Sequence, residues 1–317
     1  PRIPSDLGYY NLLDEDVRVK QAELAKEAGV SAFCYWHYWM GRGKRLLSKP
    51  LDQMINSGKP DFPFCLGWAN HDWEKKTWNK NGSFFKKEVL IRQYYGEHEE
   101  IENHFNTMLT AFLDKRYFRI DDRPVFVIFR PDSIPNFTLF KYIWNRLAAK
   151  NGLPNFCFIA CIVDKNDIQK YLENGYDYVN LSMLNYPFKI KYSKLNIIYR
   201  ILKAELLKKP NVVEYADAIK VFNDSANRIE HVIPTLIPNW DHSPRSGYHA
   251  SILNNSSPIL FKQHVTDILE SVMHKRNRVV FLKSWNEWGE GNYIEPDKRY
   301  GMDYIRTLAE CLSYYEE

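Results

Sequence analysis

Seven short, unbroken apolar runs punctuate this chain and restrict its fold more than any other feature. They are Ser31–Tyr38, Phe64–Ala69, Val125–Phe129, Phe156–Ile162, Tyr178–Ser182, Val232–Ile237 and Val279–Lys283. They are continuous, not alternating, so both faces of each are expected to be covered, as in a parallel sheet. Between them lie apolar residues at helical spacing. Val17, Leu24, Ala25 and Ala28 form one stripe, stopped by Gly29, and Leu47, Leu51, Met54 and Ile55 another, stopped by Gly58. Further stripes run Ile101–Phe112, Phe140–Leu147, Phe261–Val272 and Tyr304–Leu308. Each reads as a core-facing helix.

Strands alternating with helices imply parallel βαβ units, either a doubly wound open sheet or a barrel. No Gly-x-Gly-x-x-Gly follows a strand and no Walker-type loop is present, so the nucleotide-binding versions lack support. The expected fold is α/β, a (β/α)8 TIM-type barrel forming one catalytic domain over residues 1–317. A complete barrel needs eight strands. Either one strand escapes the pattern, or the first β-strand unit is lacking at the N-terminus.

Charge narrows the partners. Lys and Arg number 43 against 39 Asp and Glu, a net +4 spread along the chain, with nothing that reads as a nucleic-acid module. The densest basic stretch, 189–209, carries Ile and Leu at helical spacing. It reads as a solvated helix face, or else as peripheral contact with a membrane surface or an anionic substrate. No apolar run approaches the roughly 18 residues of an integral membrane segment. Cys34, Cys65, Cys157 and Cys161 sit in apolar runs and read as reduced core residues. No signal peptide is visible, and a cytoplasmic location is expected from a chain that opens at Pro1.

In a barrel, chemistry gathers where strands end. The first run ends in Tyr35-Trp36-His37-Tyr38, suited to a sugar-binding wall or to plain core, with His37 a structural histidine in the plainer reading. The second ends in Trp68-Ala69-Asn70-His71-Asp72-Trp73, hydroxyl-binding groups beside flat rings. Spacing fixes no third ligand beside His71 and Asp72, so no metal is expected, and no cofactor either. Aromatics make up 15% of the chain, including 9 Trp and 21 Tyr, and such rings suit the apolar faces of sugars. Arg130 follows the third run and would bind an acidic or phosphorylated group, or pair with a carboxylate. The sixth ends in Asn239-Trp240-Asp241-His242, with Arg245 close behind.

The last run gives the sharpest signal: Trp285-Asn286-Glu287-Trp288-Gly289-Glu290, then Glu295. Glycosidic bond chemistry wants two carboxyl groups of different pKa, one to give a proton and one to act as base or nucleophile. Burial between Trp285 and Trp288 would raise a glutamate by disfavouring its charged form. No Gly-x-Ser-x-Gly elbow offers a serine nucleophile.

Asp6-Leu-Gly-Tyr-Tyr10, Lys59-Pro-Asp-Phe-Pro-Phe64, Trp68-Ala-Asn70, Trp285-Asn-Glu-Trp-Gly-Glu290 and Glu295-Pro-Asp297 resemble the WbsX-type proteins. These are often described as glycosyltransferases of bacterial surface polysaccharide loci, and they are related to glycoside hydrolase family 99. The resemblance implies a (β/α)8 barrel and two glutamates three residues apart, which fall on Glu287 and Glu290. It implies that the first assists the sugar 2-hydroxyl as a base, through an anhydro-sugar intermediate, and that the second is the general acid/base. This chain departs in three places. The strand and Trp-rich loop that precede the segment matching Pro1 are missing, His71 stands where relatives have Glu, and Gly289 where the hydrolases have His. The expected function is a retaining endo-glycoside hydrolase or transglycosidase acting on an oligosaccharide or polysaccharide. The alternatives are a glycosyltransferase of O-antigen or capsule synthesis and a non-catalytic sugar-binding barrel.

Overall fold

The computed structural model describes residues 2–75, 88–190 and 206–316. All seven runs form strands of one parallel sheet. They are β1 (Phe33–Gly41), β2 (Phe64–Trp68), β3 (Arg123–Ile128), β4 (Cys157–Ile162), β5 (Tyr178–Leu181), β6 (Val232–Leu236) and β7 (Phe281–Leu282). Each pairs with its sequence neighbour, from β1 to β7 in order. The helical stripes form α1 (Glu15–Glu27), α2 (Lys49–Ser57), α3 (His98–Phe112), α4 (Phe137–Lys150), α7 (Pro258–Val272) and α8 (Asp303–Glu316), while α5 (Ile168–Glu173) and α6 (Tyr215–Phe222) carried no stripe that was read. Most of the basic stretch 189–209 lies outside the described residues. Among the described residues no helix is long and apolar enough to cross a membrane.

The barrel is not closed, which corrects the expectation of eight paired strands. The first and last parallel strands, β1 and β7, share no ladder, and the outer side of β1 pairs instead with the antiparallel strand Lys44–Leu46. The ends of the parallel sheet are nonetheless drawn together. Helix α1 packs on α8, and the Phe33 ring meets Trp285 at 5.4 Å between centroids. The sheet therefore curves round an interior that is open along one side.

Strand parity divides the side chains between this hollow and the helix layer. Pairing registers Cys34 with Cys65, and Trp36 with Gly67 and then Val127. The same row continues through Cys161, Asn180 and Thr235, all of which line the hollow. Barrel interiors are ordinarily filled by layers of bulky side chains; here small ones leave a cavity of 3590 Å³. Cys34 thus opens onto the hollow instead of the core expected for it.

The opposite row builds the main core against α3 and α4. Phe105, Phe112, Phe126, Phe140, Trp144, Phe156 and Phe158 are all fully buried there. His37 and Trp68 belong to this row, not to a sugar-binding wall. Trp68 is buried, stacks on Phe140 and donates from Nε1 to the Trp39 carbonyl. His37 lies 2.9 Å from His104, Nε2 to Nε2, and the rings stack. One nitrogen donates to the other, which excludes a pair in which both rings are charged.

Burial pushes His37 and His264 down to about 3 and His104 well below the ordinary imidazole value. In the unfolded chain these rings take up protons below about 6.5. Stability from keeping them neutral is therefore complete above that pH and is lost as pH falls toward their folded values. The urea midpoint is expected to drop between pH 7 and pH 4, with proton uptake on unfolding. A midpoint flat across that range would place these rings in a solvated setting.

Candidate active site

The chain leaving β7 folds into a small antiparallel hairpin, Asn286–Glu287 against Asn292–Tyr293. The turn Trp288–Glu290 joins its arms, ending at Gly291 with φ of 53°. A Cβ at Gly291 would sit 2.8 Å from the Asp241 Cβ, so only glycine lets this turn approach the loop after β6. Two buried amides hold the loops together. Asn239 donates to the Tyr293 carbonyl at 3.0 Å and accepts from its N–H at 3.0 Å. Asn292 donates to the carbonyls of Asn239 and Lys283 at 2.7 and 2.9 Å.

This clamp places Glu287 and Glu290 on either side of Arg245. The guanidinium Nη1 is in close contact with Glu290 Oε1, and Nη2 lies 3.3 Å from Glu287 Oε1. His242 Nε2 approaches Glu290 Oε1 at 3.6 Å. His242 is stacked on Trp240 and its Nδ1 pairs with the Ser246 hydroxyl. Tyr38 faces the carboxylates from β1: burial, then the charge of Glu287, raises its phenol, while Arg245 opposes.

The two glutamates are driven apart. For Glu287, burial and then the charge of Glu290 outweigh Arg245, Lys283 and His242, and the carboxyl is raised. For Glu290, burial also pushes upward, but the hydrogen bond from His242 and the charges of Arg245 and Lys283 prevail, and it is lowered. Glu287 therefore holds its proton to higher pH than Glu290 does. The resemblance implied the reverse, with Glu287 as base and Glu290 as general acid.

The expected site residues divide. Tyr35, Trp36, Tyr38, His71, Asp72, Trp73, Arg130, Asp241, Trp285, Asn286 and Trp288 line the cavity together with Glu287 and Glu290. His37, Trp68, Asn70, Asn239, Trp240 and Glu295 do not line it. Asn70 is buried and tied to the Arg130 backbone, Asn239 clamps the hairpin, and Trp240 backs His242. Glu295 is buried and accepts from Tyr10 Oη at 2.9 Å, Gln21 Nε2 at 2.7 Å and Trp288 Nε1 at 2.7 Å. Trp288 also stacks on Tyr293 at 3.7 Å, so Glu295 braces the Trp288–Glu290 turn from behind. Among the described residues no cluster of three or more His, Cys, Asp or Glu is set to hold a metal ion.

Sequence reading missed Tyr10, Gln21, Lys283 and the bridging role of Arg245. Tyr10 lies 276 positions from Asn286, whose amide donates to its hydroxyl at 3.2 Å. Arg245 stood in view after the sixth run, but no spacing rule ties it to a hairpin beyond the next helix.

Comparison with known proteins assigns the chain to a family. Residues 1–308 match the family described as Glycosyltransferase WbsX. An uncharacterized protein WxcX of Xanthomonas campestris pv. campestris is 26% identical over 325 aligned positions, covering 99% of this chain and 44% of the relative. The chain thus spans less than half the length of the curated relatives it matches. Among solved structures, a glycoside hydrolase-like protein superposes with a TM-score of 0.64 at 14% identity, covering 98% of this chain and 89% of that one. An endo-α-mannosidase of glycoside hydrolase family 99 from Bacteroides thetaiotaomicron superposes with a TM-score of 0.61 at 13% identity, covering 99% and 84%. At these identities the likeness shows the fold, an architecture of the (β/α)8 type.

The bracing role of Glu295 can be separated from chemistry. Glu295→Ala strips the acceptor from three donors, of which Gln21 is buried and Tyr10 and Trp288 are half-buried, and is expected to cost about 3 kcal/mol in urea unfolding. Lost turnover with unchanged stability would instead make Glu295 a direct participant.

Proposed function

The chain belongs to the WbsX glycosyltransferase family, and from that premise we propose that it acts on glycosidic bonds of a glycan with Glu287 and Glu290 as its acid–base pair. One observation carries the reading: two carboxyls of a single hairpin share Arg245 yet their proton affinities are shifted in opposite directions in a cavity large enough for a saccharide. Acid–base catalysis needs one group that holds a proton and one that has lost it at the same pH.

In this reading Glu287 hands its proton to the departing glycosidic oxygen. Glu290, between Arg245 and His242, withdraws a proton from a hydroxyl of the substrate's own ring, which displaces the leaving group and closes an anhydro sugar. Glu287, now deprotonated, then draws a proton from water or an acceptor sugar as it opens that ring, and Glu290 returns its proton to the ring hydroxyl. Tyr38 and Trp288 flank the reacting ring, and Asn286, held by Tyr10, reaches a hydroxyl. The favoured reaction is endo-acting hydrolysis or transglycosylation with retention. A second reading, transfer from an activated donor in surface polysaccharide assembly, is favoured by the description of the family. Incubation with α-mannan and with bacterial surface polysaccharide fragments, with and without sugar nucleotides, separates the two by mass spectrometry. Shortened or rearranged chains without a donor support the first; growth that requires a donor supports the second.

Glu287→Gln and Glu290→Gln are each expected to lower turnover by at least ~100-fold while leaving the fold intact. A double variant with normal turnover would remove both residues from the mechanism.

The pH profile of kcat/KM tests the assignment of roles. Its rising limb belongs to deprotonation of Glu290, below the ordinary carboxylate range, and its falling limb to Glu287, above it. The residual activity of Glu287→Gln should lack the falling limb, and that of Glu290→Gln the rising one. Arg245 favours both charged forms, so Arg245→Gln should move both limbs to higher pH. Limbs that stay in place would detach Arg245 from the pair.

A further inference from the structure

Across the hollow from the hairpin stands a wall that the acid–base chemistry does not use. Trp36 lies on the inner row of β1, 46% exposed, and it faces the cavity. Its ring lies against Gly67 of β2: a Cβ there would come within 3.0 Å of Trp36 Cζ3 and 3.1 Å of Cε3. Glycine is therefore what lets the indole lie back against the sheet. The ring edge meets Phe129 at 5.3 Å, and His71 meets Phe129 at 5.4 Å.

Arg130 completes this wall. Its guanidinium carbon stands 5.2 Å from the Phe129 centroid. Its peptide is gripped on both sides by the fully buried Asn70, whose Oδ1 accepts from the Arg130 N–H at 2.7 Å and whose Nδ2 donates to the Arg130 carbonyl at 2.8 Å. Tyr95 Oη donates to the Asn70 carbonyl at 2.8 Å and steadies the grip. The acids at hand are engaged elsewhere. Asp72 accepts from the Gln93 N–H, and Asp132 from Lys170 and Tyr171. Among the described residues Arg130 has no carboxylate partner. A cation fixed by its backbone, set beside exposed rings and left without a counter-charge, is arranged for an anion that arrives from outside.

We propose that Trp36, Phe129 and Arg130 form a saccharide subsite for a ring that carries a negative charge, so that the substrate is an acidic glycan. The ring face lies on the indole, and its carboxylate or phosphate pairs with the guanidinium. Trp36 precedes Tyr38 on the same face of β1 by two residues, about 6.6 Å along a strand, so the charged unit sits one position along the glycan from the bond at the glutamates. This inference rests on the carbohydrate reading above.

The test is direct titration of the full chain, followed by calorimetry, with oligohexuronates of glucuronate, mannuronate and galacturonate. The same oligosaccharides after carboxyl reduction, and hexose 6-phosphates, form the other arms. At least one acidic probe is expected to bind about tenfold tighter than its neutral counterpart, the scale of one charge-assisted pair. The preference should vanish in Arg130→Gln and persist in part in Arg130→Lys, while Trp36→Ala weakens acidic and neutral probes alike. Preference for the uronates identifies a uronic acid, and preference for the phosphates a phosphorylated sugar. Equal affinity for charged and neutral probes, no binding of any acidic probe, or a preference that survives Arg130→Gln overturns the proposal. The Glu287→Gln/Glu290→Gln double variant should keep the preference and lose turnover, so failure of the subsite and failure of the acid–base pair are read separately.

Discussion

Two buried amides, Asn239 and Asn292, hold the rest of this site in place. They spend their hydrogen bonds on backbone groups of the loops leaving β6 and β7, and so join two segments that the intervening helix α7 keeps far apart in sequence. A buried amide bonded to backbone groups fixes position far better than a contact between apolar side chains, because both distance and direction are set. Arg245 belongs to one loop and the glutamates to the other. Their meeting exists only because the loops are locked.

Once the loops are locked, electrostatics separates two chemically identical residues. Arg245 reaches both carboxylates, but Glu290 takes its closer contact and also faces His242, while Glu287 is left with burial and a charged neighbour. Trp288, stacked on Tyr293 and bonded to Glu295, keeps the turn from relaxing toward solvent, where the two groups would become alike.

The hollow itself follows from residue size. Cys34, Cys65, Cys161 and Thr235 line an interior that larger side chains would fill, and the missing ladder between β1 and β7 leaves one flank open. The glutamates and the Trp36–Arg130 wall then share one space, which gives a glycan chain room to engage both. Trp36 owes its exposure to the missing side chain of Gly67, and Arg130 its position to Asn70, so residues that touch no substrate shape the surface that does.

The sequence by itself determined the strand set and the identity of the acidic turn. Parallel strands are apolar on both faces, so they read as continuous runs, and all seven were legible within a few residues. Glu287, Glu290, Trp36, Tyr38, His71 and Arg130 were legible as strand-end polar and aromatic groups. The same two-faced burial hid the parity of each strand. When both rows are apolar or aromatic, nothing in the order of residues tells inside from outside, so His37 and Trp68 read as wall when they are core. Asn70, Asn239 and Glu295 read as ligand groups because a buried amide or acid satisfied by backbone looks the same in sequence as one waiting for a sugar. Only the tertiary structure decided which partner each would find, since those partners, such as Tyr10 for Glu295 and Arg245 for both glutamates, are brought close by chain folding and not by spacing.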